Sequence, residues 1–176
     1  MKQLALDDPG VLVGITPQGN TCLHVASILG HEKFCKDVLA LDQSVFLVTA
    51  INKDGETLLL TAVTRGHDTL AFILLRYCRD QQLSETILNQ DKRGCNALHR
   101  ALWRGYRALA LELIEAEPAL SKAANVRDES PMFIAAMRNV EDVLDKLLGI
   151  PDSAHSGTSS SNALHAAVRN GNKVSI

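Results

Sequence analysis

The sequence has few aromatic residues and no long apolar run. Aromatic residues make up 4% of its 176 residues, so a core has to be built mainly from Leu, Ala, Val and Ile. The longest apolar stretch, LAFILL at 70–75, is far shorter than the roughly 20 residues that span a bilayer. The opening MKQLALDDPG holds no apolar run of signal-peptide length. We therefore expect a soluble chain that does not insert into membranes.

Motifs of catalytic, metal and redox centres are also lacking. The sequence contains no phosphate-binding glycine loop, no G-x-S-x-G and no C-x-x-C pair among its four cysteines. We expect no catalytic residue, no cofactor, no metal site and no small-molecule substrate. The thiols are expected to be free in a reducing compartment, with Cys22 and Cys95 partly exposed near turns. Redox regulation through these two thiols is a less favoured alternative.

What the sequence does contain is a repeat. Five segments align, starting at residues 19, 55, 94, 128 and 160, with offsets of 36, 39, 34 and 32 residues. Such a period is typical of stacked helical repeats joined by loops of variable length. The segments are GNTCLHVASILG, GETLLLTAVTRG, GCNALHRALWRG, DESPMFIAAMRN and SSNALHAAVRNG.

Four columns of this alignment predict a short helix with a fixed start, a buried face and a fixed stop. The third column holds N-cap residues: Thr21, Thr57, Asn96, Ser130 and Asn162. The fifth holds large aliphatic residues: Leu23, Leu59, Leu98, Met132 and Leu164. The eighth is always small, which allows close helix packing: Ala26, Ala62, Ala101, Ala135 and Ala167. The twelfth holds residues that end helices in the left-handed conformation: Gly30, Gly66, Gly105, Asn139 and Gly171.

A second amphipathic stretch follows each of the first four stops. Apolar residues recur in it at i, i+3 and i+4, which predicts a second helix antiparallel to the first. Neither helix of a pair can bury its apolar face alone, so we expect the pairs to stack into an all-α solenoid. The stretches are HEKFCKDVLAL, HDTLAFILLRYC, YRALALELIEA and VEDVLDKLL.

These segments resemble the ankyrin-repeat signature T-P-L-H-x-A-A-x-x-G-H at close to its 33-residue period. The resemblance covers nearly the whole chain and implies an ankyrin-repeat solenoid of paired antiparallel helices. The signature proline occurs only at Pro131, and the histidine column is interrupted at Leu60 and Phe133. We expect one domain, 1–176, of about four full repeats with a partial repeat at each end. The boundaries are 1–15 (partial), 16–51, 52–90, 91–124, 125–156 and 157–176 (partial).

Two longer stretches, GITPQGNTCLHVAS and EPALSKAANVRDESPMFIA, resemble plant ankyrin proteins of the accelerated-cell-death type. That resemblance implies a role in plant defence signalling and a C-terminal membrane region, which these residues do not include. We interpret the chain as a fragment, a truncated gene model or a short isoform. We expect it in the cytoplasm, or at the cytosolic face of the plasma membrane as part of a longer membrane-anchored protein.

Five histidines fall in repeat positions, which favours a structural role. His24, His99 and His165 share one column, and stacked helices lie about 10 Å apart, too far for two imidazoles to share a metal ion. We expect these imidazoles to bond turn backbone and link adjacent repeats, and we expect the same of His31 and His67 after the C-cap glycines.

The distribution of charge suggests a binding surface on a chain whose net charge is only −2. The column before the C-cap includes Arg65, Arg104 and Arg138. By the ankyrin resemblance, this column and the turn tips form a concave basic face, and the second helices form an acidic back. Basic residues placed there only for solubility are an equally weighted alternative. The predicted contacts are Lys53, Arg65, Arg93, Trp103, Arg104, Arg127, Met137 and Arg138.

We expect a non-catalytic protein-interaction module whose partner carries an acidic segment, with Trp103 as an apolar anchor. Nucleic acid is not expected, because few aromatic residues are available for base stacking and the phosphate-facing charge is modest. The alternative is a structural spacer or an intramolecular regulator of a missing C-terminal membrane region.

Overall fold

The computed structural model describes residues 14–41 and 44–171, and the five repeat segments form five first helices. These are α1 (Cys22–Leu29), α4 (Leu58–Arg65), α7 (Ala97–Arg104), α9 (Pro131–Met137) and α11 (Ala163–Asn170). The second helices are α2 (Glu32–Leu39), α5 (Asp68–Asp80), α8 (Arg107–Ala116) and α10 (Glu141–Leu148). No strand is present within the described ranges, which hold a single isolated bridge between Ser156 and Asn162. The predicted all-α ankyrin-repeat architecture is confirmed.

The connections back to the next repeat are not plain loops, as the sequence had suggested. Short helices lie in three of them: α3 (Ser44–Val48), α6 (Ser84–Leu88) and a 3₁₀ helix (Pro118–Lys122). Each buries at least one apolar side chain, such as Leu47, Ile87 and Leu120. These one-turn helices are too short to show a periodic pattern, so the sequence does not reveal them.

The predicted caps form at every first helix. The side-chain oxygen of each N-cap residue accepts a hydrogen bond from the backbone N–H three positions on, for example His99 N–H to Asn96 Oδ1 at 3.1 Å. Four helices end in a left-handed glycine. The helix α9 differs slightly, because Arg138 is its C-cap and the left-handed residue is Asn139 at φ +55°.

The chain divides into two compact units, Met1–Lys92 and Arg93–Ile176. The first contains α1–α6, and the second contains α7–α11 and the 3₁₀ helix. All five column alanines are buried, as is the large aliphatic residue of the first four helices. Leu164 of the fifth is 53% exposed, so the expectation of a buried aliphatic column is wrong there. The single domain and the repeat boundaries stay predictions.

The histidine column links consecutive repeats where histidine is present. His24 accepts from the Thr21 N–H at Nδ1, and its Nε2 lies 3.0 Å from the Glu56 carbonyl oxygen. His99 makes the same pair of contacts with Asn96 and with the Glu129 carbonyl, the latter at 3.1 Å. Burial lowers the pKa of His24, which keeps the imidazole neutral for this arrangement.

The other three histidines at repeat positions differ in their surroundings. His67 reaches back to the Ile28 carbonyl at 3.0 Å, as the structural interpretation requires. His31 and His165 are exposed, and His165 contacts its own cap only through its backbone N–H. The repeat-linking role therefore belongs to His24, His67 and His99.

The last helix of the second unit has an exposed apolar face. Val168 is 74% exposed, as the sequence pattern predicts for an apolar side chain of a partial repeat. The same pattern predicts exposed apolar side chains at Val11, Leu12 and Val174, which lie outside the described ranges. Within 14–41 and 44–171, no helix has the length and hydropathy needed to cross a bilayer.

Candidate functional site

The turn tips that carry Lys53 and Arg127 are built on buried asparagines. Asn52 Oδ1 accepts from the backbone N–H groups of Asp54 and Glu56, at 2.9 and 3.0 Å. Asn125 Oδ1 repeats this geometry with Arg127 and Glu129, at 2.9 and 3.1 Å. These turns leave the side chains of Lys53 and Arg127 exposed.

Sequence reasoning missed these turn-forming residues, although a signal is present. Asn52, Asp91 and Asn125 each lie five residues before an N-cap. All three are buried, which is unusual for such polar side chains. Asn and Asp at this spacing favour turns in which the side chain bonds the backbone.

The predicted contact residues fall into both units, so they are described separately. Lys53 and Arg65 belong to the first unit and are exposed. The other six, all in the second unit, are Arg93, Trp103, Arg104, Arg127, Met137 and Arg138.

Arg138 and Trp103 come together in the second unit. The guanidinium carbon of Arg138 lies 5.9 Å from the centroid of the Trp103 ring, within cation–π range. Trp103 is half-buried on α7, while Arg104 and Arg138 are exposed. The cation of one repeat thus rests on the aromatic ring of the preceding repeat.

A similar contact joins the next two repeats, and it includes an arginine outside the predicted contacts. Arg169 Nη2 lies 3.0 Å from the Met137 sulfur. Beside it, Asn170 Nδ2 donates to the carbonyls of Ala136 and Met137, each at 2.9 Å, which anchors α11 on the end of α9. We call Trp103, Arg104, Met137, Arg138 and Arg169 the basic surface.

Arg127 does not resemble Arg138 of the basic surface, because the charge of Arg127 is matched by a carboxylate within the chain. Its Nη2 and Nε donate to Glu129 Oε2 at 2.9 and 3.2 Å. Glu129 is itself buried and also accepts from Asn125 Nδ2 at 2.7 Å. The polar side chains at the tip of this turn therefore bond to one another.

The second helices do not form the purely acidic back that the sequence suggested. Arg107 on α8 pairs with Asp142 on α10 at 2.6 Å, and Lys146 on α10 pairs with Glu115 on α8. Both pairs join residues more than thirty positions apart, so the sequence pattern could not reveal them. Two carboxylates that the sequence pattern assigned to an acidic face, Asp142 and Glu115, instead form ion pairs between neighbouring second helices.

The four cysteines are free thiols. Burial raises the pKa of Cys35 to about 11 and that of Cys78 to about 12. Cys22 is half-buried and its pKa is also raised by burial. The expectation that Cys95 is partly exposed is wrong, since it is 5% exposed and accepts from Asn125 Nδ2. No cluster of His, Cys, Asp and Glu suited to a metal ion occurs in the part of the chain described here.

Comparison with known proteins agrees with this architecture. No protein-family model matches the chain. It is similar to the Ankyrin repeat-containing protein ITN1 of Arabidopsis thaliana, with 32% identity over 95 residues. The match covers 54% of this chain and 15% of the Arabidopsis protein, so the chain corresponds to a small part of that relative. Capped helix pairs at the ankyrin period, histidine links between repeats and this relative together support an ankyrin-repeat family for the chain.

Proposed function

We propose that the chain is a non-catalytic protein-interaction module that binds an acidic segment of a protein partner on the basic surface. The observation that carries this proposal is the Arg138–Trp103 contact. In the described residues Arg138 pairs with no carboxylate, and the tryptophan ring holds its guanidinium in place. A cation positioned before binding loses less conformational freedom when a carboxylate arrives.

The residues of the proposed interface differ in what they would contribute. Trp103, Met137 and Arg138 combine apolar area with charge, which is the composition of interaction hot spots. Arg127 is expected to contribute less, since Glu129 already neutralises it. Lys53, Arg65, Arg93 and Arg104 stay predicted contacts.

We propose further that the chain acts in plant signalling or defence, on the cytosolic side of the cell. The resemblance of two longer stretches to plant proteins supports this, as does the similarity to an Arabidopsis ankyrin protein. The similarity covers a small part of that protein, so its own activity is not transferred to this chain.

Binding is tested by calorimetric titration with short capped peptides rich in Glu, alongside versions in which Gln or Lys replaces each Glu. We expect saturable binding of the Glu peptide only, weakened by added salt because the attraction is electrostatic. Trp103 is the one tryptophan of the chain, so its fluorescence gives a second signal from the surface itself.

A charge-reversed pair of variants identifies the surface. Arg104→Glu with Arg138→Glu should lower affinity for the Glu peptide by about tenfold or more, the effect of losing close charge pairs at an interface. The matched control reverses Arg76 and Arg79 on α5, which changes net charge equally at another exposed site. Equal affinity in the two double variants, with unchanged circular dichroism, would show that the basic surface is not the binding site.

A further inference from the structure

The interruption of the histidine column at Phe133 creates a feature that the histidine-bearing first helices α1 and α7 do not show. At those helices the column imidazole bonds a carbonyl of the following turn, at 3.0 and 3.1 Å. Phe133 has no polar atom to make this bond. Its ring instead packs against Gly157, where a Cβ atom would lie only 2.2 Å from Cδ2 of the ring. The loop before α11 therefore approaches the ring through a glycine.

A cavity of about 200 Å³ lies next to this contact, between α9, α11 and the loop before α11. Its apolar wall includes Phe133 and Met137, and its polar wall is formed by Thr158, Ser161, His165 and Arg169. None of the side chains that line it is acidic. Such a combination of an apolar wall with hydrogen-bond donors suits a side chain that has both methylene groups and a negative charge.

Arg169 is the charged group of this cavity, and its contact in the free protein is weak. Its Nη2 lies 3.0 Å from the Met137 sulfur, and a thioether is a poor hydrogen-bond acceptor. The chain shows no ion pair of Arg169 with a carboxylate in the described ranges. Exchange of the sulfur for a carboxylate would turn a weak contact into charge-assisted hydrogen bonds, which are shorter and stronger.

We propose that this cavity receives a single Glu or Asp side chain of the acidic segment, with its carboxylate on Arg169 and its methylene groups against Phe133. This inference rests on the proposed function and names the site where the segment is anchored. Thr158 and Ser161 also line the cavity and carry hydroxyl donors, and the Ser161 N–H donates to the Thr158 carbonyl at 3.0 Å. A phosphate group is disfavoured, because its charge of about −2 would face a single arginine in this cavity, whereas a carboxylate carries one negative charge.

The first test is Arg169→Gln, which removes the charge at an exposed position and keeps hydrogen-bonding capacity. We expect affinity for the Glu-rich peptide to fall about five- to tenfold, the loss of one charge-assisted contact. Arg76→Gln on α5 is the matched control and should leave affinity unchanged. The His165 imidazole signals in NMR, assigned with His165→Gln, should shift when the peptide binds the native chain and stay in place with the Gln peptide.

The second test restores the histidine column. Phe133→His should remove the apolar wall and lower affinity for the Glu peptide, whereas Leu60→His makes the same restoration in the first unit and should not. If Phe133→His does not fold, as judged by circular dichroism, the affinity of Arg169→Gln and the His165 signals are the readouts that test the cavity.

The outcomes separate this inference from the proposed function. If the Arg104 and Arg138 reversal abolishes binding while Arg169→Gln and the His165 signals show no change, the anchoring cavity is wrong and the interaction module stands. If the native chain binds no Glu peptide, both are overturned. Tighter binding of a phosphoserine peptide, lost in Arg169→Gln, would overturn the carboxylate assignment.

Discussion

At the scale of single residues, one column of the repeat serves different purposes in different copies. His24 and His99 are buried and join their own cap to the next turn. Phe133 and His165 occupy the same column but line an open cavity. A residue type at a repeat position therefore does not settle its role, because the role depends on what the following turn brings against it.

This difference predicts unequal effects of the same substitution. His99→Ala leaves the buried Asn96 N–H and Glu129 carbonyl without their imidazole partner, so we expect a loss of about 2–4 kcal/mol in the free energy of unfolding. His165→Ala removes an exposed side chain and should change that free energy by less than about 0.5 kcal/mol. Urea unfolding followed by circular dichroism measures both, and equal losses would contradict the structural role of His99.

At the scale of the helix, the first helices are defined by local contacts and then fixed by neighbours. Gly30 ends α1 in the left-handed conformation at φ +70°. The imidazole of His67, from the next pair, lies so close that a Cβ on Gly30 would be 2.6 Å from its Nδ1. Gly171 ends α11 at nearly the same angle, φ +68°, but nothing lies within 4 Å of the corresponding Cβ.

Substitution of these two glycines therefore distinguishes the cost of backbone strain from the cost of lost packing. Gly171→Ala should cost about 1 kcal/mol, the ordinary penalty of a left-handed residue with a side chain. Gly30→Ala should cost at least about 1 kcal/mol more, because His67 must move and give up its bond to the Ile28 carbonyl. Thermal or urea unfolding of the two variants measures the difference, and similar losses would show that His67 adapts without cost.

At the scale of the whole molecule, repeats are stabilised by the neighbours on which they stack. Within the second unit, α9 packs against α7, α10 and α11, whereas α11 packs mainly on α9. Leu164 and Val168 of α11 are 53% and 74% exposed. A helix with so little burial opens at a low free energy.

We expect the backbone amides of α11 to exchange with solvent about a hundredfold faster than those of α9, which corresponds to a difference of about 2.7 kcal/mol in opening free energy. Hydrogen exchange followed by mass spectrometry resolves the two helices. Equal protection of α9 and α11 would mean that the second unit opens as one cooperative body.

The amino-acid sequence by itself determined the five first helices, their caps, four second helices and the ankyrin-type pairing. These features depend on contacts within about four residues and on a period that repeats along the chain. The tertiary structure decided which of the arginine charges can pair with a carboxylate of a binding partner. Arg127 is neutralised by buried Glu129, while Arg138 lies on the ring of Trp103, 35 residues earlier.

Only the tertiary structure revealed the short connecting helices, the ion pairs between second helices and the cavity beside Phe133. The last two features join side chains from different repeats, and loops of unequal length set the register between them. A sequence pattern shows that two repeats stack, but the meeting of Phe133 with Gly157 depends on the path of one particular loop.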